Sequence, residues 1–188
     1  MRERPKRLFV RLAREERGVA AVEFALILPL LILLYFGTVE AASLFTVDRR
    51  VATVASTMAD LVSREKKSIS QGSTLANYFQ AANGIMQPYP TTSLKQVVTL
   101  LKITSAGVTT VVWSVGYNGG VARTATASYN LPASSQINQL ARTNGYLVMS
   151  EISYPYKPLF GMVISNTVNL SRTEYFLPRY EDKIDLVS

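Results

Sequence analysis

The sequence predicts an α+β protein: a long N-terminal transmembrane and stalk helix, followed by a second helix and a small antiparallel β-sheet head. Three observations predict it. Every residue from Val19 to Phe36 is apolar except Glu23. Beyond that run, apolar residues recur at helical spacing, with no glycine or proline between Gly37 and Gly72. From Leu94 onward the chain turns to β-branched segments separated by glycine-containing turns. The boundaries that follow are a basic leader at 1–18, a transmembrane helix at 19–39, its stalk continuation at 40–66 and a head at 67–188.

The leader carries Arg2, Arg4, Lys6, Arg7, Arg11, Arg14 and Arg17 against Glu3, Glu15 and Glu16. A good part of the formal charge of +7 therefore sits in front of the apolar run. Lys and Arg are retained on the cytoplasmic side of a membrane, so this block is a topology signal. It places residues 1–18 in the cytoplasm and everything after about residue 40 on the far side. No basic and aromatic stripe recurs downstream, and nucleic-acid binding is not expected.

The run itself has about the length a transmembrane helix needs, with Pro29 its one helix breaker. Three readings fit it. A plain signal anchor explains the run and its basic flank but gives no reason for Glu23. A cleaved secretory signal has a suitable apolar core at Phe24–Phe36 and a small-residue site at Val39-Glu40-Ala41, yet the helical pattern continues through that site. In the third reading a peptidase cuts after Gly18. Val19 then carries a free amine one turn before Glu23, and amine and carboxylate neutralise each other within one chain or between staggered neighbours. The unpaired amides of a first helical turn also favour an anion there.

Downstream, Leu44, Val47, Val51, Val54, Met58 and Leu61 recur at alternating steps of three and four. Ala52, Ala55 and Ala59 widen the stripe with small residues. One helix from about Val19 to about Arg64 is roughly 65–70 Å long, of which a bilayer takes about 30 Å. The stripe faces either its own domain or a neighbouring subunit.

REKKSISQGS reads as a polar loop, after which Ser73 or Thr74 is a candidate cap for a second helix, LANYFQAANGIM. Asn83-Gly84 weakens the end of that helix, and QPYPTT closes it. LKQVVTLLKIT and VTTVVWSV form a hairpin about Ser105-Ala106-Gly107, and Tyr117-Asn118-Gly119-Gly120 supplies the next turn. A short helix is expected at SSQINQLA, then strands at YLVMSEISY and TVNLSRTEYF. Tyr154-Pro155-Tyr156-Lys157-Pro158 interrupts the third strand; its tyrosines either cover the edge of a small core or mark a subunit contact.

The chain lacks both cysteine and histidine. That removes thiolate chemistry, disulfides, and the commonest general base and metal ligand. Asn118-Gly119-Gly120 is too short for a phosphate loop and has no following lysine. Ser63 with Lys66 and Lys67 reads as a solvated helix end, and Asp48, Asp60 and Glu65 lack calcium-ligand spacing. The sequence thus offers no active site, metal site or cofactor site, and the protein is not expected to be an enzyme.

A basic leader, Gly18, then VAAVEFALILPLLILL with glutamate fifth and Phe24 sixth, resembles the class III signal of Flp-type prepilins. The continuation through Pro29, Gly37 and Glu40 is similar to the TadE-like minor pilins, or pseudopilins, of the tight adherence system. The resemblance is specific from about Gly18 to Asp60 and looser to about Pro90. It implies cleavage between Gly18 and Val19 by a prepilin peptidase, with Glu23 and Phe24 as assembly contacts. The implied partners are other minor pilins, the major Flp pilin and the inner-membrane assembly platform. The implied location is the bacterial inner membrane, single-pass with the head in the periplasm, or the pilus itself. A signal-anchored periplasmic binding or adhesion module is the competing expectation.

Overall fold

A computed structural model describes residues 16–132, 145–180 and 183–188. The helix expected at SSQINQLA and most of the leader lie outside the described residues. Helix α1, Glu16–Ser63, is continuous and takes in both Gly18 and the apolar run. Strand β1 is Ser68–Ser70, a π-helical turn spans Gln71–Leu75, and helix α2 is Ala76–Met86. Strands β2 (Lys95–Ile103), β3 (Thr109–Tyr117), β4 (Tyr146–Tyr156), β5 (Val168–Phe176) and β6 (Asp185–Val187) complete the elements. The α+β class and the small antiparallel sheet are as the sequence predicts.

The residues form two compact units: Met1–Ser43 with Pro158–Asn166, and Leu44–Lys157 with Thr167–Ser188. In the second, β3-β2-β4-β5 make an antiparallel sheet, while β1 pairs in parallel with β6. Val47, Val51, Val54, Met58 and Val62 of α1 are fully buried. They share one core with Leu75, Phe79 and Met86, and with Val98, Leu100, Trp113, Val148 and Ile152 of the sheet. Of the two expected settings for the stripe, its own domain is the one observed. Val62 is buried where Leu61 was expected, because a straight helix of 3.6 residues per turn drifts off a strict heptad.

Strand β2 is buried on both faces. Val98 and Leu100 meet the helices, whereas Leu101 and Ile103 join Val111, Leu147 and Met149 in a second cluster. A bulge makes this possible in β3. Leu100 pairs with Trp113 and Leu101 with Val111, so Val112 is the extra residue, and Val111 and Trp113 point to opposite faces.

Several expectations are corrected. Ser73 and Thr74 lie within the π-helical turn and cap nothing; α2 follows Leu75 with no side-chain cap. Helix α2 begins at Ala76, one residue later than LANYFQAANGIM implies, and ends at Met86 as that reading has it. Ser68–Ser70, inside the segment read as loop, is a strand. Strand β4 is not interrupted at Pro155 but continues to Tyr156. Its pairing with β2 ends at Ser153, so Pro155 sits where one edge is open and its missing N–H leaves no ladder bond unmade. Tyr154 and Tyr156 are buried in the helix-facing core, which makes them core cover and excludes the contact reading.

The indole of Trp113 fastens the C-terminal segment. Its Nε1–H donates to the buried carbonyl of Ile184 at 2.7 Å. Trp113→Phe leaves that carbonyl without its donor and is expected to cost about 2 kcal/mol. A chemical-denaturation midpoint followed by circular dichroism should fall accordingly; an unchanged midpoint would show that the bond is replaced by water.

Candidate functional site

Two features of the first unit have the character of a site. The first is the apolar face of α1. Val19, Phe24, Leu26, Leu30, Leu33, Leu34 and Tyr35 are all exposed. Exposure of so continuous an apolar surface is untenable in water, and the helix is long and apolar enough to cross a membrane. It is consistent with a single-pass membrane anchor. Pro29 lies inside it without ending it, as is tolerated in membrane helices. Gly18, Val19, Glu23 and Phe24 all lie on this helix, with Glu23 and Phe24 exposed. Glu23 has no ion-pair partner among the described residues. The predicted cleavage and assembly residues are therefore on one helical turn and the next.

The second feature was not anticipated. Glu40, one turn beyond Phe36, is almost completely buried at 1 % exposure. Its Oε1 accepts the Met162 N–H at 2.9 Å, and its Oε2 accepts those of Val163 at 3.1 Å and Ile164 at 2.8 Å. Phe36 and Phe160 meet edge-to-face at 5.0 Å. Gly37 leaves room for the Val163 side chain, since a Cβ there would lie 3.3 Å from Val163 Cγ2. The Ile164 amide, opposed by desolvation and assisted by Met162, Val163 and Gly161, holds the Glu40 carboxyl below its usual range. A depressed folded value means the clamp is complete above the ordinary carboxylate range and is lost as pH falls through the lowered value. In the sequence Glu40 stands only in the Val39-Glu40-Ala41 triplet and in the family resemblance; three consecutive amides leave no side-chain signature.

In the second unit the remaining charged candidates are structural. Asp48 pairs with Arg172, and Asp60 with Arg64 at 2.5 Å and with Arg179. Glu65 accepts from the Tyr78 hydroxyl at 2.6 Å; burial, aided by this bond, pushes the phenol up to about 12. The Ser63 hydroxyl is buried and donates to the Asp60 carbonyl at 2.7 Å, so it is not poised as a nucleophile. A groove of about 540 Å³ is lined by Lys95, Arg123, Tyr129 and Glu151 among others. Arg123 is spent on Glu151, with bonds of 2.9 and 2.5 Å, and lies over the Tyr129 ring. Such a neutralised pair is a brace across the groove.

The family model described as TadE-like protein matches residues 18–60. Over this segment the chain is similar to TadE-like proteins. The match begins at Gly18, spans the exposed apolar face and Glu40, and ends at Asp60, which bears out the resemblance over the stretch where it is most specific. Comparison with curated proteins and with solved structures gives no match. The TadE-like segment thus includes the residues that carry Glu23 and the helical half of the Glu40 clamp.

Proposed function

We propose that the protein is a minor prepilin or pseudopilin of a Flp-type, tight adherence pilus, and that its role is structural, with no catalysis of its own. Its leader is removed after Gly18 by a prepilin peptidase, and the mature chain takes part in assembly of a pilus used for surface attachment. The observation that carries this reading is Glu23: an exposed carboxylate on an apolar helix face, in a TadE-like segment, one turn from the position of the new amine. The bilayer disfavours a lone carboxylate by about 2.5–3.5 kcal/mol on insertion scales, so this residue calls for a partner. The amine of Val19 supplies it, in the same chain or in a staggered neighbour among other minor pilins and the major Flp pilin.

The protein is held in the bacterial inner membrane with residues 1–18 cytoplasmic and the sheet domain periplasmic, in contact with the assembly platform. It either stays there or is carried into the pilus. A side chain at position 18 would crowd the peptidase subsite, so Gly18→Arg is expected to leave the precursor at full mass. N-terminal sequencing of the membrane-bound protein should read Val19 onward for the native chain. A start near Ala42 would instead make it a secreted domain, and an intact Met1 a signal-anchored binding or adhesion module.

A further inference from the structure

The segment joining β4 to β5 carries no charged residue from Pro158 to Asn166. Leu159 is 83 % exposed, Phe160 48 %, Met162 55 % and Val163 50 %. An apolar loop of this kind is a liability in water. Its position within the first unit is informative, because it touches α1 at Phe36, Gly37 and Glu40. From Val19 to Phe36 a helix rises roughly 26 Å, close to the hydrocarbon thickness of about 30 Å. Phe36 and Gly37 therefore fall at the far boundary of the hydrocarbon, and the loop falls with them.

Irregular backbone is tolerated beside hydrocarbon only when its polar groups are satisfied by protein. Glu40 meets that demand for three successive amides of the loop. Tyr35, Phe36 and Phe160, joined edge-to-face at 5.5 and 5.0 Å, form the aromatic cluster favoured at a membrane interface. Neither the anchor from Phe24 to Val39 nor the loop from Pro158 to Asn166 carries a charged residue, and the carboxylate that joins them, Glu40, is buried.

We propose that Pro158–Asn166 is a second membrane contact: a loop whose Leu159, Phe160, Met162 and Val163 insert into the headgroup–acyl boundary beside the anchor, with Glu40 as the clamp that satisfies its backbone. The helix alone fixes only depth and leaves the chain free to rotate about its axis. A loop docked at one side of the helix and held in the same interface sets that rotation, and hence which face of the anchor meets a neighbour. The inference rests on the membrane anchor and is independent of the pilus assignment.

The absence of cysteine allows a direct test in the full-length protein. Single cysteines at Leu159, Met162, Leu30 and Ser105 carry an environment-sensitive nitrobenzoxadiazole label, with the protein in phospholipid nanodiscs holding one copy each. Labels at 159 and 162 should be quenched by bromine-bearing lipid and be several-fold less accessible to aqueous iodide than the label at 105. Adding Glu40→Ala should raise iodide access at 159 and 162 while leaving 30 unchanged. Iodide access at 159 and 162 equal to that at 105 overturns the proposal. If those labels become shielded only when two copies share a disc, the occupant is a second copy and the bilayer reading fails. Loss of lipid quenching at 30 overturns the anchor and the loop together.

Discussion

Gly116→Ala is expected to destabilise the sheet domain by about 3 kcal/mol. Gly116 is near the end of β3, and the chain turns back over it after Tyr117. Asn118 at φ 52° and Gly119 at φ 81° make that turn, and the Gly120 N–H closes it on the Tyr117 carbonyl at 3.0 Å. A Cβ on Gly116 would lie 2.0 Å from the Gly120 carbonyl oxygen and 3.2 Å from the Ala122 nitrogen. Gly120 is as tightly placed, 2.3 Å from the Gln96 carbonyl by the same measure. All these obstacles are backbone, so no rotamer change relieves them. The whole of 118–122 would have to lift off the sheet, and with it the path to Arg123 and its bonds to Glu151. A domain stabilised by about 5–15 kcal/mol in total would lose a large share. Denaturation in detergent, followed through the single tryptophan, Trp113, should show the loss. Gly84→Ala is the control: it sits in α2 with nothing within 4 Å of its Cβ, and should be neutral or stabilising by about 0.5–1 kcal/mol. Equal stability of the two variants would mean that the turn over Gly116 has room for a Cβ.

The same residues show where the sequence was informative. Long-period signals survived: the apolar run, the stripe from Val47 to Met58 and the β-branched strands each repeat a pattern many times, so local exceptions do not hide it. The turn at Asn118-Gly119-Gly120 was legible because the positive φ of Asn118 and Gly119 favours those residue types. Strands β1 and β6 were missed because three residues cannot display a period, and their pairing joins residues more than a hundred positions apart. Pro155 misled for a related reason. Whether a proline breaks a strand depends on which edge faces a neighbour, and that is a property of the sheet, not of the tripeptide. For the candidate site the division is sharper. Glu23 stands out in the sequence because its surroundings are apolar and local. Glu40 does not, because its partners are backbone amides supplied by a loop far along the chain.

Glu23→Gln should leave membrane insertion and processing intact while abolishing most assembly. Glutamine is nearly isosteric and cheaper to place in hydrocarbon, so insertion is not impaired. The proposed cleavage would depend on the Gly18–Val19 bond and the subsite for Gly18, which the substitution does not touch. What changes is the partner offered to the new amine. In the proposed assembly glutamate gives each new amine a carboxylate, whereas glutamine would leave it charged and uncompensated, which is the strongly unfavourable way to break a desolvated pair. Even about 1.4 kcal/mol at one subunit contact lowers association about tenfold, and repeated contacts multiply the effect. Counting surface pili and assaying the mature protein in sheared filaments measures this directly. Glu23→Asp, which keeps the charge and shortens its reach, should fall between the two. Normal pili in the glutamine variant would sink the charge-pair role of Glu23, and the carboxylate would then have to serve the precursor, at the cytoplasmic edge of the helix, before any cleavage occurs.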